Sequence, residues 1–218
     1  MKRIIVATNP ANDEVTQYLD AWQDQVINLS KKQKDTFIFE LNKEETSRKE
    51  LTDLIKDKNP QLVLFNGHGS YDSVFGFDGS ALIKFNDNEE ILIKKIIHSL
   101  TCSSGKILGP SCIKTGALSY LGYKEEFKIV YLKNQGTKEE KYNDVYARFF
   151  LEPAFEPIFL LIKGYSAQEA FNGSKKKYLN NLKCVIASKD PILNTAIAPR
   201  LYHNLIHQVC LGDGSACF

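Results

Sequence analysis

Two short apolar runs of this chain end on side chains capable of acid–base and nucleophilic chemistry. Leu62-Val63-Leu64-Phe65-Asn66-Gly67-His68-Gly69 ends on an imidazole, and Ile96-Ile97-His98-Ser99-Leu100-Thr101-Cys102-Ser103-Ser104-Gly105 ends on a thiol. An imidazole can take a proton near neutral pH and give it back, and a thiol attacks a carbonyl carbon only once it has lost its proton. Small residues follow both groups. They let a substrate backbone come close and leave main-chain N–H groups free to face a developing oxyanion; those of Gly69 and Cys102 are the candidates. Singly, a cysteine at a strand end is usually a small apolar residue and a histidine before glycine a turn residue. Their order on successive strands is what points to chemistry. If the strands are parallel neighbours, His68 and Cys102 meet at the carboxyl edge of the sheet, where open α/β sheets bind ligands.

The elements that must position them follow from periodicity. Residues 3–8 form an apolar, β-branched strand, and Asn12 is placed to cap a helix whose Val15, Tyr18, Leu19, Trp22 and Val26 share one face. Residues 36–41 form a second strand. Ser47 and Glu50 have capping-box spacing ahead of Leu51, Leu54 and Ile55, Asn59-Pro60 ends that helix, and residues 61–66 form a third strand. Strand, helix, strand, helix, strand with long connections predicts right-handed crossovers and a parallel sheet. Gly69, Gly76 and Gly79 with Asp72, Asp78 and Asn86 read as turns and a small hairpin, then a buried strand over 96–101, a loop or short helix over 105–116, and another strand over 117–123. From Tyr142 the period is helical: Val145, Phe149 and Phe150 on one helix, Ile158, Leu161 and Ile162 on another stopping at Gly164, and a third over 167–182 with Lys175-Lys176-Lys177 on a solvated face. Lys133, Lys138 and Lys141 read as a solvated loop, and residues 208–215 as a last strand breaking into a tight turn. No repeat or linker divides the chain, so residues 1–218 are expected to form one domain.

Composition excludes several classes. A net charge of +2 gives no electrostatic case for nucleic acid or an anionic membrane surface, and no apolar run is long enough to cross a bilayer. The five cysteines are odd in number and scattered, with no CxxC pair, which points to a reducing cytoplasm rather than a disulfide framework. His98, Cys102 and Cys112 fit no tight metal knuckle, and Asn204-Leu205-Ile206 between His203 and His207 is not the HExxH pattern, so no metal or other cofactor is expected. No phosphate-cradling glycine loop supports a nucleotide enzyme.

Asn66-Gly67-His68-Gly69 after one strand and Cys102 ending the next resemble the caspase-like clan of cysteine peptidases, and within it gingipain-type and CHAT-type domains. Cys102-Ser103-Ser104-Gly105-Lys106-Ile107-Leu108-Gly109-Pro110 is similar to their nucleophile loop, Gly116-Ala117-Leu118-Ser119-Tyr120-Leu121-Gly122-Tyr123 to the strand that follows, and Leu211-Gly212-Asp213-Gly214-Ser215 to a Gly-Asp turn near their end. The resemblance implies a caspase-like three-layer α/β sandwich with a mostly parallel central sheet, helices on both faces, and a peptidase dyad of Cys102 as nucleophile and His68 as general base and acid. It implies a protein or peptide substrate, and an activating protein partner for a domain of this kind. Leu100-Thr101 stand before Cys102 where caspases have Gln-Ala, so cleavage after aspartate is not implied. Gingipain relatives cut after basic residues, which requires an acid in the pocket; Asp72, Asp78 and Asp213 are the candidates, each also suited to bonding its own turn. The rival from another class is a catalytically silent domain of this fold, acting as a regulatory module in a larger assembly.

Overall fold

A computed structural model describes residues 2–218. The strand–helix alternation of the first third is realised as β1 (Arg3–Asn9), α1 (Glu14–Lys32), β2 (Thr36–Asn42), α2 (Arg48–Lys58) and β3 (Leu62–Asn66). A hairpin, β4 (Ser73–Phe75) and β5 (Ala81–Lys84), precedes β6 (Ile96–Leu100), α3 (Leu108–Thr115) and β7 (Ser119–Tyr123). The chain ends with α4 (Lys138–Asn143), α5 (Ala147–Ile162), α6 (Ala167–Ala187), α7 (Ala198–His207) and β8 (Gln208–Gly212).

The main sheet runs β2-β1-β3-β6-β7-β8, parallel throughout except for β8, which is antiparallel to β7. Every residue of β3 and β6 is buried, as the continuous apolar runs require of strands covered on both faces. Ile5, Leu62, Leu64, Ile96 and Leu100 pack against α1, α5 and α6, while Val6, Val63, Phe65 and Ile97 pack against α2, α3 and the hairpin. This is the expected three-layer arrangement of a mostly parallel sheet between helices. β3 and β6 pair in register from Leu62 with Ile96 to Asn66 with Leu100, so the segments after them leave the sheet side by side.

Three local expectations are corrected. The cap of α1 is Asp13 rather than Asn12: its carboxylate accepts from the Thr16 N–H while the Thr16 hydroxyl accepts from the Asp13 N–H. Lys138 and Lys141 lie in α4 rather than in a loop, and Lys141 is buried, its ammonium 5.7 Å from the Tyr18 ring centre. The two helices expected between Val145 and Gly164 are one, α5, which starts at Ala147 and runs through Pro153 and Pro157. A proline lacks the N–H that would bond the carbonyl four residues back, so the carbonyls of Phe149 and Pro153 lose their intrahelical donors. Asn181 Nδ2 donates to Phe149 O at 2.8 Å and Ser174 Oγ to Pro153 O at 2.7 Å, both from α6. The neighbouring helix supplies what the prolines remove, and α5 stays continuous.

Candidate active site

The β6 end is shaped by hydroxyls. Thr101 Oγ1 donates to Ser104 Oγ at 2.7 Å, Tyr120 OH donates to the same oxygen at 2.8 Å, and Ser99 Oγ lies 2.8 Å from Thr101 Oγ1, all buried. This cluster folds the chain back beneath Cys102. Ser103 adopts a left-handed conformation, φ 60°, which costs a non-glycine residue about 1–2 kcal/mol. Its N–H donates to Glu125 O at 3.1 Å and that of Gly105 to Tyr123 O at 2.8 Å, tying the loop to the end of β7. A Cβ at Gly105 would stand 2.7 Å from Val209 Cγ2 and 2.9 Å from Tyr123 O, so no larger residue fits that approach.

The β3 end is held by the loop after β1. Gly67 has φ 141°, and a Cβ there would lie 2.9 Å from Pro10 Cγ. That loop also carries Asp13, whose Oδ2 accepts from His68 Nε2 at 2.6 Å while Oδ1 caps α1. A carboxylate can only accept, so His68 Nε2 carries a proton in this bond, and the neutral ring of that tautomer has its lone pair on Nδ1. Burial raises the Asp13 carboxyl, but the Thr16 N–H and hydroxyl and His68 outweigh it and hold the group below its ordinary 3.8. Gly69 packs so closely that a Cβ would meet Thr101 Oγ1 at 2.8 Å and Cys102 O at 3.0 Å. Among the described residues neither the Gly69 nor the Cys102 N–H donates a hydrogen bond.

His68 and Cys102 line one groove of about 350 Å³, with Val15 and Leu19 of α1 on one side and residues 126–129 and 131 on the other. The covering segment is pinned along its length. Lys124 N–H donates to His207 O at 2.9 Å, Asn204 of α7 brackets Lys128 by accepting from its N–H and donating to its carbonyl (2.9 and 2.7 Å), and Leu132 N–H donates to Asp144 Oδ2 at 2.6 Å. Burial pushes the Cys102 thiol above its ordinary 9.0; the Phe127 N–H and the Lys128 charge pull the other way and Glu126 adds to the rise. An already activated thiolate is therefore not what this conformation holds.

Glu126 is the one acid lining the groove among the described residues, and its carboxylate pairs with the Lys128 ammonium. Asp72, Asp78 and Asp213 do not line it. Asp72 accepts from the Ser70 and Ser73 hydroxyls, Asp78 from Ser80 and Asp213 from Ser215, the turn bonding their spacing allowed. Sequence reasoning missed Asp13 and Glu126. The signal for Asp13 was there: it follows the strand that neighbours β3, at the same edge. Glu126 carried none, because the segment around it has no regular structure. Of the other candidates, His98 is buried within the sheet and burial pushes it down to about 4, while the Cys112 thiol is pushed up to about 12 for the same reason. The His203 and His207 rings pack at a tilt of 59° with centres 4.2 Å apart, and His203 Nε2 lies 3.0 Å from Glu126 O. Among the described residues no helix is long and apolar enough to cross a membrane.

No protein-family model matches the chain, and no curated protein matches it. Among solved structures it is similar to a secreted C11 cysteine protease from Bacteroides thetaiotaomicron in complex with an irreversible peptide inhibitor, at 11% identity and TM-score 0.44 over 58% of this chain and 49% of that one. A structure described as a protease matches at 13% identity and TM-score 0.49, over 99% of this chain and 48% of that one. An inactive zymogen C11 protease from Parabacteroides distasonis matches at 11% identity and TM-score 0.41, over 90% and 69%. The chain thus spans about half the length of the first two. Two of these three are described as C11 proteases, and none of the three is described as a gingipain-type or CHAT-type domain. Scores this low leave the chemistry to be argued from the groove itself.

Proposed function

We propose that the chain is a cysteine endopeptidase with Cys102 as nucleophile and His68 as general base and acid. One observation carries the reading: parallel neighbours β3 and β6 end level, and the imidazole and thiol that follow them line one groove. In the reaction His68 Nδ1 takes the thiol proton, and the sulfur forms a bond to the substrate carbonyl carbon while the C=O electrons move to oxygen. The Gly69 and Cys102 N–H groups supply donors for that oxyanion. Collapse breaks the C–N bond, the amine leaves with the proton from His68, and water, deprotonated by the same imidazole, hydrolyses the thioester. Asp13 is a positioning residue that keeps the proton on Nε2 and stabilises the imidazolium. Glu126 suits a basic substrate side chain, which would replace Lys128 as its partner. The raised thiol and the covering segment fit a resting form in which residues 126–131 must shift before a peptide enters.

The same two features favour the silent-module reading, and one experiment separates them. Purified chain is incubated with a peptide library covering all residue types before the scissile bond, beside Cys102→Ala and His68→Ala. Cleavage by wild type alone, strongest after Arg or Lys, is the expected result. Equal cleavage by Cys102→Ala would refute the assignment, and no cleavage by any form, with or without a trypsin nick in the 126–137 segment, would favour the silent module.

A further inference from the structure

A second hollow, of about 700 Å³, lies at the other end of the sheet, between α2 and the segment that leads into β6. Lys95 forms part of its wall, immediately before the first residue of β6, and Asn59 faces it from the end of α2. Only 7% of the Lys95 residue surface is exposed. Its ammonium makes one hydrogen bond, to Asn59 Oδ1 at 2.9 Å, and pairs with no carboxylate among the described residues. A partly buried charge is held at least cost when it is paired, and an ammonium has three donors to satisfy, of which Asn59 fills one. Burial alone shifts this group, downward from 10.5, with no neighbouring charge contributing.

We propose that this hollow binds a small anion with a carboxylate or phosphate head, and that Lys95 supplies its counter-charge. Lys56 adds a second cation on the same wall. Arg48 is committed to Asp87 at 2.8 Å and closes the far side as a neutral pair. Glu90, the remaining acid of the lining, repels an anion from its own part of the rim and favours a compact head seated between Lys95, Lys56 and Asn59. Ile55, Ile91 and Ile93 give the ligand an apolar flank. The site shares no residue with the groove of His68 and Cys102, so the proposal does not depend on the peptidase reading.

The test titrates the full chain with inorganic phosphate and, separately, with butyrate at constant ionic strength in chloride, following the backbone amide resonances of Asn59 and Lys95. At least one probe is expected to saturate with a Kd on the order of 1 mM, and which one does identifies the head group. Lys95→Met should weaken it by about tenfold or more and Lys95→Arg by far less, because the charge is what binds. Lys56→Met, on the rim and without a packing role, should weaken it about threefold and serves if Lys95→Met does not fold. Cys102→Ala should bind as wild type does. Failure of both probes to saturate, or unchanged affinity in the lysine variants, overturns the proposal.

Discussion

Asparagine in place of Asp13 would separate two tasks that one carboxylate performs. Oδ1 accepts from the Thr16 N–H at 2.8 Å and caps α1, while Oδ2 accepts from His68 Nε2 at 2.6 Å. Asparagine caps a helix about as well as aspartate, so Asp13→Asn should keep stability within about 0.5 kcal/mol, whereas Asp13→Ala loses the cap at a cost of about 1 kcal/mol. The His68 pair adds little to stability, because both side chains are nearly half exposed, 47% and 45%, and such pairs are worth about 0.2–1 kcal/mol. Its effect on the reaction is larger. An amide can turn its NH2 toward Nε2, drive the proton to Nδ1 and remove the base, and it cannot stabilise the imidazolium. A loss of about tenfold in kcat/KM, or roughly 1.4 kcal/mol, is expected for Asp13→Asn. Urea unfolding measures the first quantity and the pH profile of peptide cleavage the second. The folded Asp13 carboxyl titrates below its ordinary 3.8, so its stabilisation is complete at neutral pH and is lost as pH falls below that value. Asp13→Asn should lack this acid loss. Wild-type cleavage at an unchanged pH optimum in Asp13→Asn would refute the positioning role.

Four further outcomes follow from the structure. His98, held at about 4 instead of 6.5 by burial, binds its proton more readily in the unfolded chain, so stability should fall by about 3 kcal/mol as pH drops from 6.5 to 4, and His98→Leu should flatten that fall in urea titrations. Ser174→Ala leaves the buried Pro153 carbonyl without a donor and should cost about 1–3 kcal/mol, read as a lower urea midpoint. Gly69→Ala forces a methyl against Thr101 and the Cys102 carbonyl and should abolish cleavage while the far-ultraviolet circular dichroism is unchanged. Because burial raises the Cys102 thiol while Cys184 is exposed, iodoacetamide at pH 7.5 should label Cys184 first, the reverse of what an activated thiolate predicts, and peptide mapping decides.

Much of the positioning framework was legible from local pattern. The runs at 62–66 and 96–100 are buried on both faces and carry no helical period, and they define the sheet edge after which His68 and Cys102 line one groove. What escaped depended on contacts distant in sequence. The spacing of Val145 to Phe150 and of Ile158 to Ile162 reads as two helices, whereas α5 runs on through Pro153 and Pro157 because Ser174 and Asn181, on another helix, supply the missing donors. The link from Asp13 to His68 spans 55 residues and exists only because β1 and β3 are adjacent. The wall over Cys102 has no period to read, since side chains of α7 and Asp144 hold it in place.

The repair of α5 by α6 has a consequence for how the molecule assembles. A helix with two prolines in its middle has little to gain from forming alone, because two of its own hydrogen bonds are missing and the freed carbonyls find protein donors only when the second helix docks. Continuity of α5 and the docking of α6 are therefore coupled through the Ser174 and Asn181 contacts. The sheet face that carries His98 and Leu100 lies beneath the layer this pair helps to form, so weakening the contacts of Ser174 and Asn181 weakens the cover over it.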